Sequence, residues 1–382
     1  MATAVICEFN PFHNGHKFLL SEARRITGEG VLAVMSGSFT QRGEAAICSK
    51  FERAEAALKN GADLVVELPA VYAVANAERF ARGGVETAKL FPCVNHLAFG
   101  CEDDDLNLLK TAAFARDNPE VKAIISERMG KGDYFPRAYE HAVRQVFGDE
   151  AADILGKPNN ILATEYLRAL EGSKIEPIAV KRKGAAHDSG KASGEFASAS
   201  HIRSLLRNGE NAGGFLPRTP QEITYPEKLD TALIYRLRMM TPEQLRQLPD
   251  VGEGLENRII SAAKSFGTAQ EVISAVKTKR YTRARLCRIL ACALLGITEE
   301  LQTKTAAYAR VLGFTPAGEK MLKSCRGEVV TSVSKALKSG GDTAELLSAD
   351  MRSADIAALA YEPPKPAGAD YLTKIIKIIS AK

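Results

Sequence analysis

Apolar residues in the first half of the chain fall in short runs separated by stretches of helical period. "AVIC" (4–7), "VLAVM" (31–35), "DLVVELP" (63–69), "HLAFG" (96–100) and "IEPIAVKR" (175–182) read as buried strands, short apolar runs of the kind covered on both faces of a sheet. Between them, "HKFLLSEARRI", "KFERAEAALKNG" and "AERFARGGVETAKLF" repeat apolar residues at three and four positions, the spacing of a helix that buries one stripe. Regular alternation of the two predicts an α/β fold with a Rossmann-like parallel sheet. In such sheets ligands settle beyond the carboxyl ends of the strands, where the next helix begins.

The pattern changes after about residue 205. "NGENAGGFLPRTP" (208–220) is rich in Gly, Pro and Asn and reads as a linker or long loop. Beyond it, "PEKLDTALIYRLRMM", "PEQLRQL", "GLENRIISAAKSF", "AQEVISAVKTK", "RARLCRILACALLG" and "KTAAYARVLG" read as successive helices punctuated by Pro or Gly. The expected organisation is an α/β domain over 1–207, a linker over 208–224 and a mostly α-helical domain over 225–382. Two domains suit a chain of 382 residues.

Composition narrows the class only modestly. A net charge of +5 is compatible with a polyanionic partner without requiring one. No run approaches the roughly 18 apolar residues of a membrane span, and no signal-peptide pattern opens the chain, so a cytoplasmic protein with no membrane partner is expected. The seven cysteines (Cys7, Cys48, Cys93, Cys101, Cys287, Cys292, Cys325) are odd in number and form no CxxC pair, which favours free thiols over a disulfide or zinc framework.

Chemistry concentrates in "EFNPFHNGH" (8–16), where the first strand hands over to the first helix. A helix N-terminus carries unsatisfied NH groups and about half a positive charge, and so attracts phosphate. Gly15 lets a ligand approach the backbone, and His13 and His16 can donate to phosphoryl oxygens as charge builds at phosphorus. The arrangement suits a nucleotide attacked at its α-phosphate. Two histidines there also serve as simple caps or surface residues, and the letters alone leave that open. Zinc is disfavoured, because no third His or Cys lies near. A second stretch, "FASASHIRSLL" (196–206), sets Ser198 and Ser200 before a helical run with Arg203 in its first turn. The serines are either caps or phosphate contacts, and Arg203 can neutralise phosphate. HxGH early and a Ser-rich segment ending in Ile-Arg late together match adenylyl-transferring enzymes.

Longer segments carry a family resemblance. "EFNPFHNGH", "MSGSFTQRGEAA" (35–46), "NGADLVVELPAVYAVANAERFARGG" (60–84), "PNNILATEYLRAL" (158–170), "GLENRI" (254–259) and "KTKRYTRARLCRIL" (277–290) resemble the bacterial tRNA(Met) cytidine acetate ligase family, in the same order and without large gaps. That resemblance implies a ligase that uses ATP to activate acetate as acetyladenylate, then acetylates N4 of the wobble cytidine of elongator tRNA(Met). It implies His13 and His16 as the catalytic pair. The ATP contacts it implies are the loop Ile6, Cys7, Glu8, Phe9, Asn10, Pro11, Phe12, His13, Asn14, Gly15, His16, Lys17, Phe18 and Leu19, with Gly100, Asn159 and Arg182. The sequence departs from the family at "ATEYL", where a Gly-containing segment is usual, at Asn160, where Asp is frequent, and in the looser "KRKGAAHD" region.

Other candidates are less specific. "GCEDDDL" (100–106) offers four acids, but acids entering a helix commonly match its dipole. Mg²⁺ carried by ATP needs few protein ligands, so no residue is assigned to a metal. Lys277, Lys279, Arg280, Arg283, Arg285 and Arg288 form a run without acids around Tyr281, suited to an RNA backbone if the cations face solvent. Arg42 in "QRG" follows a strand and either lines the site or sits on a surface loop. Two rival functions share these motifs: a nucleotidyltransferase acting on a small phosphorylated metabolite, and a non-enzymatic RNA-binding nucleotide sensor. No stable protein partner is inferred.

Overall fold

The computed structural model describes residues 1–183, 194–252 and 254–379. The part of the "KRKGAAHD" segment beyond residue 183 lies outside them. Five parallel strands form where the apolar runs predict them: β1 (Ala2–Cys7), β2 (Gly30–Ser36), β3 (Leu64–Leu68), β4 (Val94–Cys101) and β5 (Glu176–Lys181). β1 and β3 are buried at every position, which is why their sequences show no alternation. The sheet does not end at β3. β6 (Tyr308–Phe314) pairs antiparallel with it, and β7 (Glu328–Val330) and β8 (Ile376–Lys377) pair with β6. The spatial order is β5-β4-β1-β2-β3-β6-β7, with β8 also on β6.

β6 corrects the reading of "KTAAYARVLG" as a helix. Its residues from Tyr308 to Gly313 are buried, and a fully covered strand gives the same apolar run as a buried helix. The chain therefore returns to the first unit after leaving it, although 225–382 was expected to stand apart as mostly helical. The presumed linker is also built in. Thr224 donates to the Ala46 carbonyl at 2.8 Å, and Ala212 and Leu216 pack on Ile202.

Four helices place the site: α1 (Asn14–Thr27), α2 (Lys50–Lys59), α3 (Ala77–Lys89) and α4 (Pro158–Ala169). α1 stops at Gly28, whose φ of +68° closes a left-handed cap. α3 approaches the sheet closely because Gly84 faces it, while Gly83 makes room for the Tyr72 side chain. A Cβ on Gly84 would lie 2.7 Å from Ile6 of β1. Short α5 (Ala199–Arg207) returns the chain to the sheet's carboxyl edge. Then α6 (Asp230–Met239), α7 (Leu255–Ser265), α8 (Ala269–Val276) and α9 (Arg283–Leu295) gather around their own core of Leu237, Leu255, Ile259, Ile273 and Ile289. The long α10 (Gly341–Ala358) packs back on the main core through Leu346 and Leu347.

Beside the ends of β2 and β3 lies a buried charge network. Lys50 Nζ, 2% exposed, donates to both Glu67 oxygens at 2.7 and 2.8 Å and reaches Asp370 at 2.8 Å. Arg310 meets Asp370 from the other side. Burial pushes neighbouring Asp350 up to about 8, so at neutral pH it is largely protonated and adds little charge to the network. The network joins α2, β3, β6 and the C-terminal tail. Lys50→Met leaves Glu67 without its hydrogen-bonded cation and Asp370 with Arg310 alone, and is expected to cost about 3–5 kcal/mol, read as a lower urea midpoint. An unchanged midpoint would show that the network holds nothing together.

Candidate active site

The loop from β1 to α1 is fixed before its histidines are placed. Phe9 takes a left-handed φ of +48°, which costs about 1–3 kcal/mol for a non-glycine residue, and its ring is fully buried against Phe12 at 4.9 Å. Arg53 on α2, 1% exposed, donates to the carbonyls of Glu8 (2.6 Å), Ser36 (3.1 Å), Cys48 (3.3 Å) and Gly37. One guanidinium thus ties the loop after β1 to the loop after β2. Asn10 Oδ1 accepts from the Ile47 amide at 2.6 Å, a third tie.

His13 is the N-cap of α1 and His16 its third residue, in a reciprocal capping box. His13 Nδ1 accepts from the Gly15 amide at 3.0 Å, and His16 Nδ1 accepts from the His13 amide at 3.3 Å. The rings stack with centroids 3.7 Å apart. Because each Nδ1 is an acceptor, each neutral ring carries its proton on Nε2. Burial, then the charges of Arg182 and Arg203, hold His13 down to about 3. Burial, His13 and Arg182 hold His16 well below the usual histidine value. Both are neutral donors at pH 7. The amide-lined helix start expected from sequence is largely used up, since the amides of His16 and Lys17 both donate to the His13 carbonyl. Donors for a ligand must therefore come from side chains rather than from the backbone, and the His16 ring N–H faces the Pro11 carbonyl.

The two short motifs meet here. Ser198 caps α5 by accepting from the His201 amide at 3.2 Å, and Ser200 accepts from Arg203 at 3.2 Å. Arg203 also donates to the Asn10 carbonyl at 2.8 Å. Asn14 Nδ2 donates to the carbonyls of Glu195 (3.0 Å) and Gly214 (3.2 Å), so the second residue of the HxGH motif tethers the segment leading into α5. A crevice over the histidines is lined by Gly15, Phe18, Gly100, Arg182, Lys183 and Phe196. Lys183 Nζ lies 4.2 Å from the Phe18 ring centroid, and Phe196 meets Phe18 edge-on.

Several expected contacts sit elsewhere. Ile6, Phe9 and Phe12 turn into the core, and Lys17 is exposed beside Leu20 and Arg24. Asn159 donates to Glu102 at 2.6 Å. Its neighbour Asn160, fully buried, accepts from the amides of Glu102 (2.9 Å) and Asp103 (3.1 Å) and so shapes the loop that follows Gly100. Sequence flagged Asn160 only as a departure from the family, and Arg53 not at all.

In the basic run, Lys277, Lys279 and Arg283 are exposed, but Arg285 and Arg288 do not stand out as a solvent-facing stripe. Arg285 donates twice to the Asp250 carbonyl at 3.0 and 2.6 Å, and Arg288, 16% exposed, lies 3.9 Å from the Asp250 carboxylate. Tyr281 is core, with Arg258 and Arg285 over its ring. The cysteines are free thiols.

The chain is similar to known proteins along nearly its whole length. A family model described as HIGH Nucleotidyl Transferase matches residues 1–370. A tRNA(Met) cytidine acetate ligase of Thermoanaerobacter sp. (strain X514) is 38% identical, covering 98% of this chain and 99% of that protein. One from Caldanaerobacter subterraneus subsp. tengcongensis is 37% identical, covering 99% and 100%. Crystal structures of Thermotoga maritima TmcAL superpose with TM-scores of 0.91 (apo, 30% identity) and 0.89 (bound with alpha-thio ATP, 29% identity), each over 99% of this chain and 100% of the other.

The depressed histidines make stability depend on acid. A histidine near 3 folded and about 6.5 unfolded is neutral in both states at pH 7 and costs nothing there. Below about pH 6.5 the unfolded chain binds the extra proton, and stability falls by about 1.4 kcal/mol per pH unit until the folded value is reached. Between pH 7 and 5 the parent should lose roughly 2 kcal/mol more than His13→Asn, which keeps an acceptor for the Gly15 amide. Equal losses in urea titrations would contradict the neutral assignment.

Proposed function

The chain belongs to the tRNA(Met) cytidine acetate ligase family of HIGH nucleotidyl transferases, and from that premise we propose how its residues carry out the ligation. It is an ATP-dependent ligase that activates acetate as acetyladenylate and acetylates N4 of the wobble cytidine of elongator tRNA(Met). The relatives' shared activity over nearly the full chain separates this from a transferase for a small phosphorylated metabolite and from a passive nucleotide sensor.

One observation supports the mechanism most: two stacked neutral imidazoles whose Nδ1 atoms are both occupied, so that the ring protons sit on Nε2 beside Arg182 and Arg203, the His16 proton facing the Pro11 carbonyl until a phosphoryl oxygen takes its place. In the first step an acetate oxygen attacks the α-phosphorus and pyrophosphate leaves. The Nε2–H groups donate to the phosphoryl oxygens as their charge grows, and the guanidiniums offset the charge of the triphosphate. Neutral donors suit this role because they need no proton transfer. In the second step the cytidine N4 attacks the acetyl carbonyl and AMP departs. The Phe18 and Phe196 rings are placed to flank the adenine, with Gly100 admitting the nucleotide close to β4. Ser198 and Ser200 act by shaping the α5 start that presents Arg203.

ATP brings Mg²⁺, held chiefly by its phosphates. The nearby acids are engaged: Glu102 by Asn159 and Asn160, Asp103 by Lys157 and Asn160, and Asp105 as a helix cap. Lys277, Lys279, Arg280 and Arg283 are the cations proposed to meet RNA phosphates. No helix among the described residues is long and apolar enough to cross a membrane, and a cytoplasmic site of action follows from the tRNA substrate.

His16→Ala should lower acetate-dependent exchange of pyrophosphate into ATP by roughly 10²–10³-fold, the usual effect of removing one donor to developing charge. Exchange at the parent rate would place the chemistry elsewhere. Incubation of the parent with acetate, ATP and tRNA should yield acetylcytidine by mass spectrometry.

A further inference from the structure

A second cavity, of about 300 Å³, lies between the loop after β2 and the helical unit. That is the low end of the roughly 300–1,000 Å³ of small-ligand sites. Phe39, Leu233, Ile273 and Leu290 give it an apolar interior, and Glu44, Arg207 and Arg283 bring charge to its wall. Nothing in the adenylate chemistry above uses it.

Three observations favour a planar polar ligand there. The Arg207 Nη2 is buried and has no hydrogen-bond partner among the described residues, while its Nε makes only a long 3.4 Å contact to the Thr224 carbonyl. A buried guanidinium nitrogen left unpaired is costly and points to a missing acceptor. The Glu44 carboxylate, only partly buried, takes no hydrogen bond from any described residue, and Glu227 and Asp230 also line the wall, so it offers acceptors beside the donors of Arg207 and Arg283. The cavity shares no lining residue with the histidine crevice but is tied to it through two loops. Its β2 loop is pinned to the β1 loop by the Gln41 amide donating to Glu8 at 2.7 Å, and Arg203, which holds the Asn10 carbonyl, lies in the field of Glu44 and Arg207. The nucleotide crevice sits on the β4 side of β1, through Gly100 and Arg182, whereas this cavity opens on the β2 side. The two substrates of the second step need two such places.

We propose that this cavity receives the target cytosine, turned out of its RNA loop, with Glu44 accepting from the N4 amine and Arg207 donating to the O2 and N3 edge. The assignment rests on the ligase reading. A carboxylate accepting from N4 is the usual way to read cytosine, and it rejects uracil, whose O4 is an acceptor. Bases are reached for chemistry by extrusion from the stack into pockets of this kind. Exposed Arg283 at the wall is placed for a flanking phosphate.

The test separates the two half-reactions. Cys287→Phe, from a half-buried position on α9, fills the cavity without touching the crevice. It should keep acetate-dependent pyrophosphate exchange at the parent rate and lose acetyl transfer to tRNA by roughly tenfold or more. Transfer at the parent rate would overturn the assignment. Independently of any variant, an anticodon stem–loop carrying 5-fluorocytidine at the target position should show a shifted ¹⁹F resonance on binding the parent, and that shift should fall back in Glu44→Gln. A resonance unchanged on binding, or equally shifted in both proteins, would refute it. Should the parent itself show no acetate-dependent exchange, the ligase reading fails, while the ¹⁹F signal still decides the pocket.

Discussion

The reciprocal cap at the start of α1 decides what the rest of the site can do. Histidine is an unusual helix cap, and here two of them use Nδ1 to satisfy backbone amides that would otherwise be orphaned. That local need fixes the tautomer of both rings. Burial and two nearby guanidiniums then keep both rings uncharged. A structural requirement of the helix therefore creates two fixed, neutral donors, and Arg182 and Arg203 are the cations proposed to help a triphosphate.

The cap has to be delivered to the sheet edge, and buried polar side chains do this where apolar packing cannot. Arg53 gathers carbonyls from the loops after β1 and β2, and Asn160 orders the loop after β4. Lys50, Glu67, Asp370 and Arg310 anchor β3 and β6 against the C-terminal tail. Each is a long-range tie between residues far apart in sequence. Asn14 does similar work at the surface, holding the approach to α5 over the crevice.

Local pattern made much of this legible. The five parallel strands appear as continuous apolar runs, and HNGH stands where a strand meets a helix, so the fold class and the histidine corner follow from neighbours in sequence. β6 was misread because a fully covered strand has no periodicity to distinguish it from a buried helix. Arg285 and Arg288 turn inward where the pattern of their own helix predicts a solvent-facing stripe beside Tyr281. The Asp250 loop and Arg258, which turn them inward, come from other parts of the chain. Arg53 carries no signal in sequence and Asn160 only its departure from the family, since their partners are loops whose proximity exists only after folding. The tautomers depend on hydrogen bonds, which no residue pattern specifies.

The most direct test of the central claim is the long-range ¹H–¹⁵N spectrum of protein labelled at histidine, with His13→Asn and His16→Asn used for assignment. The account predicts that both rings appear as neutral Nε2–H tautomers, unchanged from pH 8 to 5, and that a nonhydrolysable ATP analogue moves their Nε2 resonances. Rings protonated at Nδ1, or titrating near pH 6.5, would contradict it.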